Sequence, residues 1–121
     1  MTVVVLSVTV RQVRGASVGD TEAWLITETG WHDLKAHQRR KPLLGSGAAV
    51  PVAFRSEHSG GTLVVGSDGL FKYTPGALIR ETALQGTPGE ACGALLELVR
   101  LPGGALQDDV GVVVRRLPRP D

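Results

Sequence analysis

Three acidic sites, four aspartates in all, stand where strand-forming runs begin or end. Asp20 follows "GASVG". Asp68 follows "TLVVGS" and is followed by Gly69, inside "GSDGLFKYT" (Gly66–Thr74). Asp108 and Asp109 precede "VGVVV". If those run ends fall at one end of a sheet, the carboxylates converge. Unpaired carboxylates brought together repel and are costly to desolvate, so something has to neutralise them. A hard divalent cation does so: Mg²⁺ or Mn²⁺ takes oxygen ligands and keeps several waters. Two such ions about 3.5–4 Å apart polarise a phosphate and lower the pKa of a bridging water. Gly69, beside the ligand, lets backbone and solvent approach the ion. The plainer reading stays open. Asp is common in turns because its side chain bonds nearby backbone amides, and any one of these aspartates taken alone reads that way. The metal signal lies in the set, its order and its strand contexts.

Other reactive residues form no comparable pattern. His32, His37 and His58 are scattered, and the five-residue spacing of the first two does not align them on a helix face; surface or packing roles fit better than ligation. Ser67 has no His-acid pair in the pattern a catalytic triad needs. "GSGAAVP" lacks the Gly-Lys-Ser/Thr end of a phosphate loop. The single cysteine, Cys92, has no internal disulfide partner and reads as a small buried hydrophobe. The basic cluster Arg39–Lys41 reads as a solvated face. Trp24 is expected in the core.

The elements that must position the acids follow from patterning. Thr2–Val10, Val13–Val18 and Glu22–Thr27 read as strands, with the Gly19–Asp20 break between the last two as a hairpin turn. Trp31–Ser59 reads as an irregular connection with one short strand near Val50–Phe54. Thr62–Ser67 is the clearest strand. A first helix follows, with Thr74 as N-cap, Pro75 in the first turn and Leu78, Ile79 and Thr82 on one face. A second helix has Thr87 as cap and Pro88 at N1, with Ala91, Leu95, Leu98 and Leu101 at helical spacing. Pro102–Gly104 stops it. Val110–Val114 reads as a last strand buried on both faces. Arg115–Asp121 reads as a frayed tail, reduced to 118–121 when the domain is drawn over 1–117. The order predicts an α+β protein, mainly antiparallel sheet with two helices on one face.

Composition sets outer bounds. The 121 residues suffice for one domain with a modest core, and 42% apolar with 21% charged residues is ordinary for a globular chain. A net charge of +1 gives no electrostatic footprint for nucleic acid. No apolar stretch reaches the roughly 18 residues of a membrane span. "MTVVVLSVTV" alternates like a strand and lacks the basic region and cleavage site of a signal peptide. The expected compartment is the cytoplasm.

Three segments, in order, resemble the motifs of the metal-dependent protein phosphatases, the PP2C or PPM family. "VGDTEAWLI" (Val18–Ile26) is similar to that family's Gly-Asp-Ser segment. "LVVGSDGLFKYT" (Leu63–Thr74) is similar to its Ser-Asp-Gly-Leu segment. "GGALQDDVGVVVRR" (Gly103–Arg116) is similar to its closing Asp-Asn segment and last strand. The resemblance covers nearly the whole chain but only about the second half of the family's domain. It implies an α/β/β/α sandwich of which about half is present. It also implies phosphoserine or phosphothreonine hydrolysis by metal-activated water, with Mg²⁺ or Mn²⁺, two or three ions in a complete domain.

The resemblance makes Asp68 a catalytic-metal ligand, with Gly69 beside it, and Asp108 the closing acidic ligand. Asp20 helps hold a third ion, and no side chain acts as a covalent catalyst. Asp109 stands where the family usually has Asn, and Thr21 where it has Ser. The family's first half carries an Asp-Gly motif whose aspartate bridges two metals, and no such segment precedes Val18. The expectation is therefore a truncated product, a misassigned start or half of a split enzyme. A second expectation is a non-catalytic half-domain that dimerises or pairs with a separate N-terminal half. A third is a β-rich domain whose aspartates only shape turns.

Overall fold

A computed structural model describes residues 3–35, 51–100, 103 and 110–119. Strands β1 (Val3–Val8), β2 (Gln12–Val18), β3 (Thr21–Thr27) and β4 (Gly30–Asp33) come first. β5 (Val52–Glu57) and β6 (Gly61–Ser67) follow. Helices α1 (Asp68–Tyr73), α2 (Gly76–Ala83) and α3 (Pro88–Leu98) lead to β7 (Val112–Leu117). The strands form two antiparallel sheets, β1-β2-β5 and β4-β3-β6-β7.

The alternation of side chains on β3 and β6 builds two cores. Ala23, Leu25, Leu63 and Val65 point one way and meet Val13 and Phe54 of the three-stranded sheet. Ile26 and Val64 point the other way and meet Leu70, Ile79, Ala83, Ala91 and Leu95 of the helices. Five consecutive residues of β6, Thr62–Gly66, are buried, which is why this run reads as continuously apolar. Each fully buried Leu, Ile or Val in these clusters contributes about 1.5–3 kcal/mol by leaving water. The result is three layers: helices, four-stranded sheet, three-stranded sheet. Among the described residues no helix covers the outer face of the three-stranded sheet, where Val3 and Val5 are 41% and 65% exposed.

Several expectations need correcting. The Gly19–Asp20 break is not a hairpin, because β2 and β3 lie in different sheets. The chain changes layer there, with Gly19 at φ 96°, a left-handed conformation that glycine adopts without Cβ strain. β4 lies inside the stretch read as irregular, and three helices replace two because "DGLFKY" is itself helical. α2 begins at Gly76 behind Pro75, since Thr74 closes α1; Leu78 is exposed, and the buried face is Ile79, Thr82 and Ala83. Cys92 is half-buried. β7 is an edge strand with Val113 exposed, so Val110–Val114 is not buried on both faces. Leu101, His37 and Arg39–Lys41 lie outside the described residues.

The expected second helix is confirmed at its start. Thr87 Oγ1 accepts from the Glu90 amide at 3.1 Å, and a Glu90 carboxylate oxygen accepts from the Thr87 amide at 2.9 Å, a reciprocal capping box. His58 is buried, with Nε2 2.8 Å from the Thr9 carbonyl and Nδ1 accepting from the Gly60 amide at 3.1 Å. It ties the β1–β2 turn to the β5–β6 turn, the packing role expected of it.

Arg115 and Arg116 are strand residues, not tail. The Arg116 guanidinium donates to the Ala83, Gln85 and Gly86 carbonyls and to Thr62 Oγ1, so it closes the carbonyl end of α2 onto the sheet. Charge-assisted bonds of this kind contribute about 1.5–3 kcal/mol. Arg116→Ala is expected to lower the unfolding free energy by about that amount in urea titrations, against no more than about 0.5 kcal/mol for the exposed Arg115→Ala.

The capping box also predicts a pH effect. The backbone bond from Thr87, then its hydroxyl contact, holds the Glu90 carboxyl below its ordinary value of 4.5. A group depressed in the folded state contributes stability above its unfolded value and loses it as pH falls through the folded one. The thermal midpoint of the wild-type chain is therefore expected to drop on acidification below 4.5 more steeply than that of Glu90→Gln.

Candidate metal-binding edge

The register of the four-stranded sheet brings three chain segments to one edge. Thr21 pairs with Ser67, so β3 begins where β6 ends. Gly66 pairs with Val112, so β7 begins there too. One residue outside the first pair stand Asp20, exposed, and Asp68, half-buried, on strands that neighbour each other at about 4.8 Å. Gly69 follows, buried in α1. Asp20, Asp68 and Gly69 are thus brought to a common edge. Asp108 and Asp109 lie outside the described residues.

Two glycines and a serine make this edge tight. The Ser67 amide donates to the Gly111 carbonyl at 3.0 Å, and the Gly111 amide donates to Ser67 Oγ at 3.0 Å. A Cβ on Gly66 would fall 3.2 Å from the Gly111 carbonyl oxygen and 3.0 Å from Phe71 Cε2, closer than side chains ordinarily pack. Glycine at 66 is what lets α1 and β7 crowd the end of β6.

Sequence reasoning missed one residue here. β4 runs back along β3, with Asp33 beside Trp24 and the Leu34 amide donating to the Ala23 carbonyl at 2.8 Å. Lys35 is thereby carried to the start of β3, where its ammonium donates to the Thr21 carbonyl. A lone lysine at the end of a segment with no clear period gave no signal of this in the sequence. It places a positive charge one residue from Asp20.

Among the described residues no hydrogen bond or ion pair engages the carboxylate of Asp20 or Asp68. Nor do three His, Cys, Asp or Glu side chains cluster with metal-binding geometry among them. Asp20 and Asp68 bring two carboxylates to this edge, oxygen donors of the kind a hard cation takes. Two carboxylates are compatible in type with Mg²⁺ or Mn²⁺ and are too few to make a coordination shell by themselves.

The same arrangement of strands recurs in solved enzymes. A crystal structure of a bacterial serine phosphatase superposes with a TM-score of 0.76 at 19% identity, covering 99% of this chain and 59% of the other. The serine/threonine phosphatase PstP/Ppp of Mycobacterium tuberculosis gives 0.74 at 21% identity, covering 98% and 60%. Serine/threonine phosphatase Stp1 of Staphylococcus aureus gives 0.73 at 20%, covering 96% and 56%. The fold is that of the PP2C-type serine/threonine phosphatases. This chain spans little more than half the length of those structures. A structure of the catalytic domain of PstP in complex with two manganese ions is also similar, with a TM-score of 0.69 at 19% identity. No family model matches the sequence, and no curated protein does.

If the two aspartates served as turn formers, their carboxylates would hold backbone amides, and neutralising them would cost stability. Without such partners, Asp20→Asn is expected to change the unfolding free energy of the metal-free chain by no more than about 0.5 kcal/mol in urea titrations. A loss above about 1 kcal/mol would mean that the carboxylate caps the backbone after all.

Proposed function

We propose that residues 1–117 form the C-terminal portion of a metal-dependent PP2C-type protein serine/threonine phosphatase domain, with 118–121 outside it. The observation that carries this reading is the meeting of Asp20 and Asp68 at adjacent strand ends, both without protein partners among the described residues, in a fold shared with phosphatases. Asp68, Gly69 and Asp20 would contribute oxygen ligands from this edge, joined by Asp108. The metal, Mg²⁺ or Mn²⁺ in two or three copies in a complete domain, supplies charge neutralisation and activation of water for phosphoester hydrolysis. The protein's part is to hold the ligands on rigid strand ends. The substrates are phosphoserine or phosphothreonine proteins. No described helix is long and apolar enough to cross a membrane. The proposed site of action is the cytoplasm, with no nucleic-acid or membrane partner.

A second reading has its own observation. The outer face of the three-stranded sheet carries Val3 opposite Val18 and Val5 opposite Ala16, and Val3 and Val5 are exposed. Apolar surface of this kind on a sheet face marks an interaction site. On this reading the chain is a non-catalytic half-domain that dimerises or pairs with a separate N-terminal half.

Mn²⁺ titration followed by electron paramagnetic resonance, run beside hydrolysis of p-nitrophenyl phosphate, tests both. The metal-edge reading expects Mn²⁺ binding at millimolar concentration that is lost in Asp68→Ala. Turnover that disappears in the same variant places a working site on this chain. Binding without turnover gives the half-domain reading. Equal behaviour of wild type and Asp68→Ala overturns the metal edge and leaves the aspartates as turn formers.

A further inference from the structure

We propose that the open edge of β1 pairs with β1 of a second copy of this chain, antiparallel about Val5, joining two three-stranded sheets into one of six strands. The inference rests on the half-domain reading and names the surface and the partner for it.

Among the described residues four strands stand at sheet edges, β1 and β5 in one sheet and β4 and β7 in the other. An edge presents unpaired N–H and C=O groups, and soluble proteins guard it with charge or by keeping the strand short. Three of the four are guarded in this way. β5 carries Arg55 and Glu57, β7 carries Arg115 and Arg116, and β4 has only four residues and ends in Asp33. β1 has six residues, Val3–Val8, with no charge and no proline. It pairs with β2 without a bulge that would twist it away.

Backbone and side chains both leave this edge unfinished. The Thr9 amide donates to the Gln12 carbonyl across the β1–β2 turn, so alternation turns the backbone groups of Val4, Leu6 and Val8 to the open side. The side chains of the same three residues lie against the core between the sheets and are only partly buried. Val13, on a strand flanked on both sides, is fully buried in that core.

A second β1 supplies what is missing. Antiparallel pairing keeps inward residues opposite inward residues only when it is centred on a residue. Centred on Val5, it sets Val4 opposite the second copy's Leu6, twice by symmetry. Each such pair exchanges backbone hydrogen bonds and covers half-buried apolar surface. Val5, 65% exposed, then covers its counterpart on the outer face. No charge enters the pairing. The nearest outer-face charge across the ladder is Arg14, opposite Ser7. Three strand spacings separate it from its counterpart, about 14 Å. That exceeds the Debye length of about 8 Å at physiological salt. The contact uses the same edge on both copies, so it closes as a dimer and does not propagate.

The experiment is sedimentation velocity on the 121-residue chain as wild type, Val5→Lys and Val113→Lys, with circular dichroism to establish folding. Val5 and Val113 are comparably exposed on edge strands, at 65% and 59%. Wild type and Val113→Lys are expected to sediment as dimers. Val5→Lys is expected to sediment as a folded monomer, because it sets like charges directly opposite each other. Cysteine variants in a Cys92→Ala background test the register, and they decide if Val5→Lys does not fold. Val5→Cys is expected to give a disulfide-linked dimer on oxidation, since the Cα atoms of a non-hydrogen-bonded pair stand about 4.5 Å apart. Ser7→Cys is expected not to, since four residues of strand, about 13 Å, separate it from its counterpart. A monomeric wild type overturns the inference and leaves the half-domain reading to a separate N-terminal half. A dimer that survives in folded Val5→Lys, or equal cross-linking of the two cysteine variants, overturns the β1 edge and keeps a dimerising half-domain. A dimer with this register whose turnover of p-nitrophenyl phosphate is lost in Asp68→Ala upholds the pairing and removes the non-catalytic reading.

Discussion

β6 has to be apolar on both faces and still end in a carboxylate. Leu63 and Val65 fill the space between the sheets, while Val64 fills the space under the helices. The strand is therefore held from both sides by cores it helps to build. β3 and β7 flank it and run antiparallel to it, so their starts are fixed beside its end. A one-residue slip in either pairing would turn every side chain of the slipped strand to the wrong core. The packing that stabilises the fold thus also decides which residues stand at the edge with Asp68.

Much of this was legible in the residues, and the failures have physical causes. The run from Thr62 to Ser67 was legible as a strand because its centre, Leu63–Val65, is uninterruptedly apolar, whereas burial on both faces was expected of Val110–Val114 and is found here instead. The start of α3 was legible because a capping box is a local interaction between residues three apart, Thr87 and Glu90. The Gly-Asp break was legible as a turn, but turn chemistry is the same whether the chain doubles back in one sheet or crosses to another. β4 was not legible: its four residues are defined by pairing with β3 and by Trp31 stacking on Trp24 at 5.3 Å and 9°, partners distant in kind from any local period. The end of β7 was misread because two arginines look like a solvated tail. Arg116 is a strand residue because its charge is spent on helix-end carbonyls instead of water.

Asp20 and Asp68 were singled out by the order of their motifs, not by geometry, and Asp108 lies outside the described residues. That Asp20 and Asp68 belong together came from motif order. That they stand on neighbouring strand ends depends on the pairing of Thr21 with Ser67, a register no local pattern encodes. Lys35 shows the same limit from the other side, since its arrival at Thr21 depends on a strand the sequence did not reveal.

α1 gives the last step of this argument. Six residues are too few for a stable isolated helix, and Ser67 lends its hydroxyl to β7 instead of capping it. What orders the helix is packing: Leu70 is fully buried, and the Phe71 ring meets Trp24 at 4.8 Å. Trp24 in turn stacks on Trp31, which leaves no room for a Cβ on Gly76 at the start of α2. The orientation of α1, and with it the starting point of Asp68, is set by an aromatic cluster of Trp24 on β3, Trp31 on β4 and Phe71 on α1, against which Gly76 of α2 packs. A carboxylate without a protein partner can stand in a fixed place only if its neighbours in the chain are held by something else. Here the core holds them.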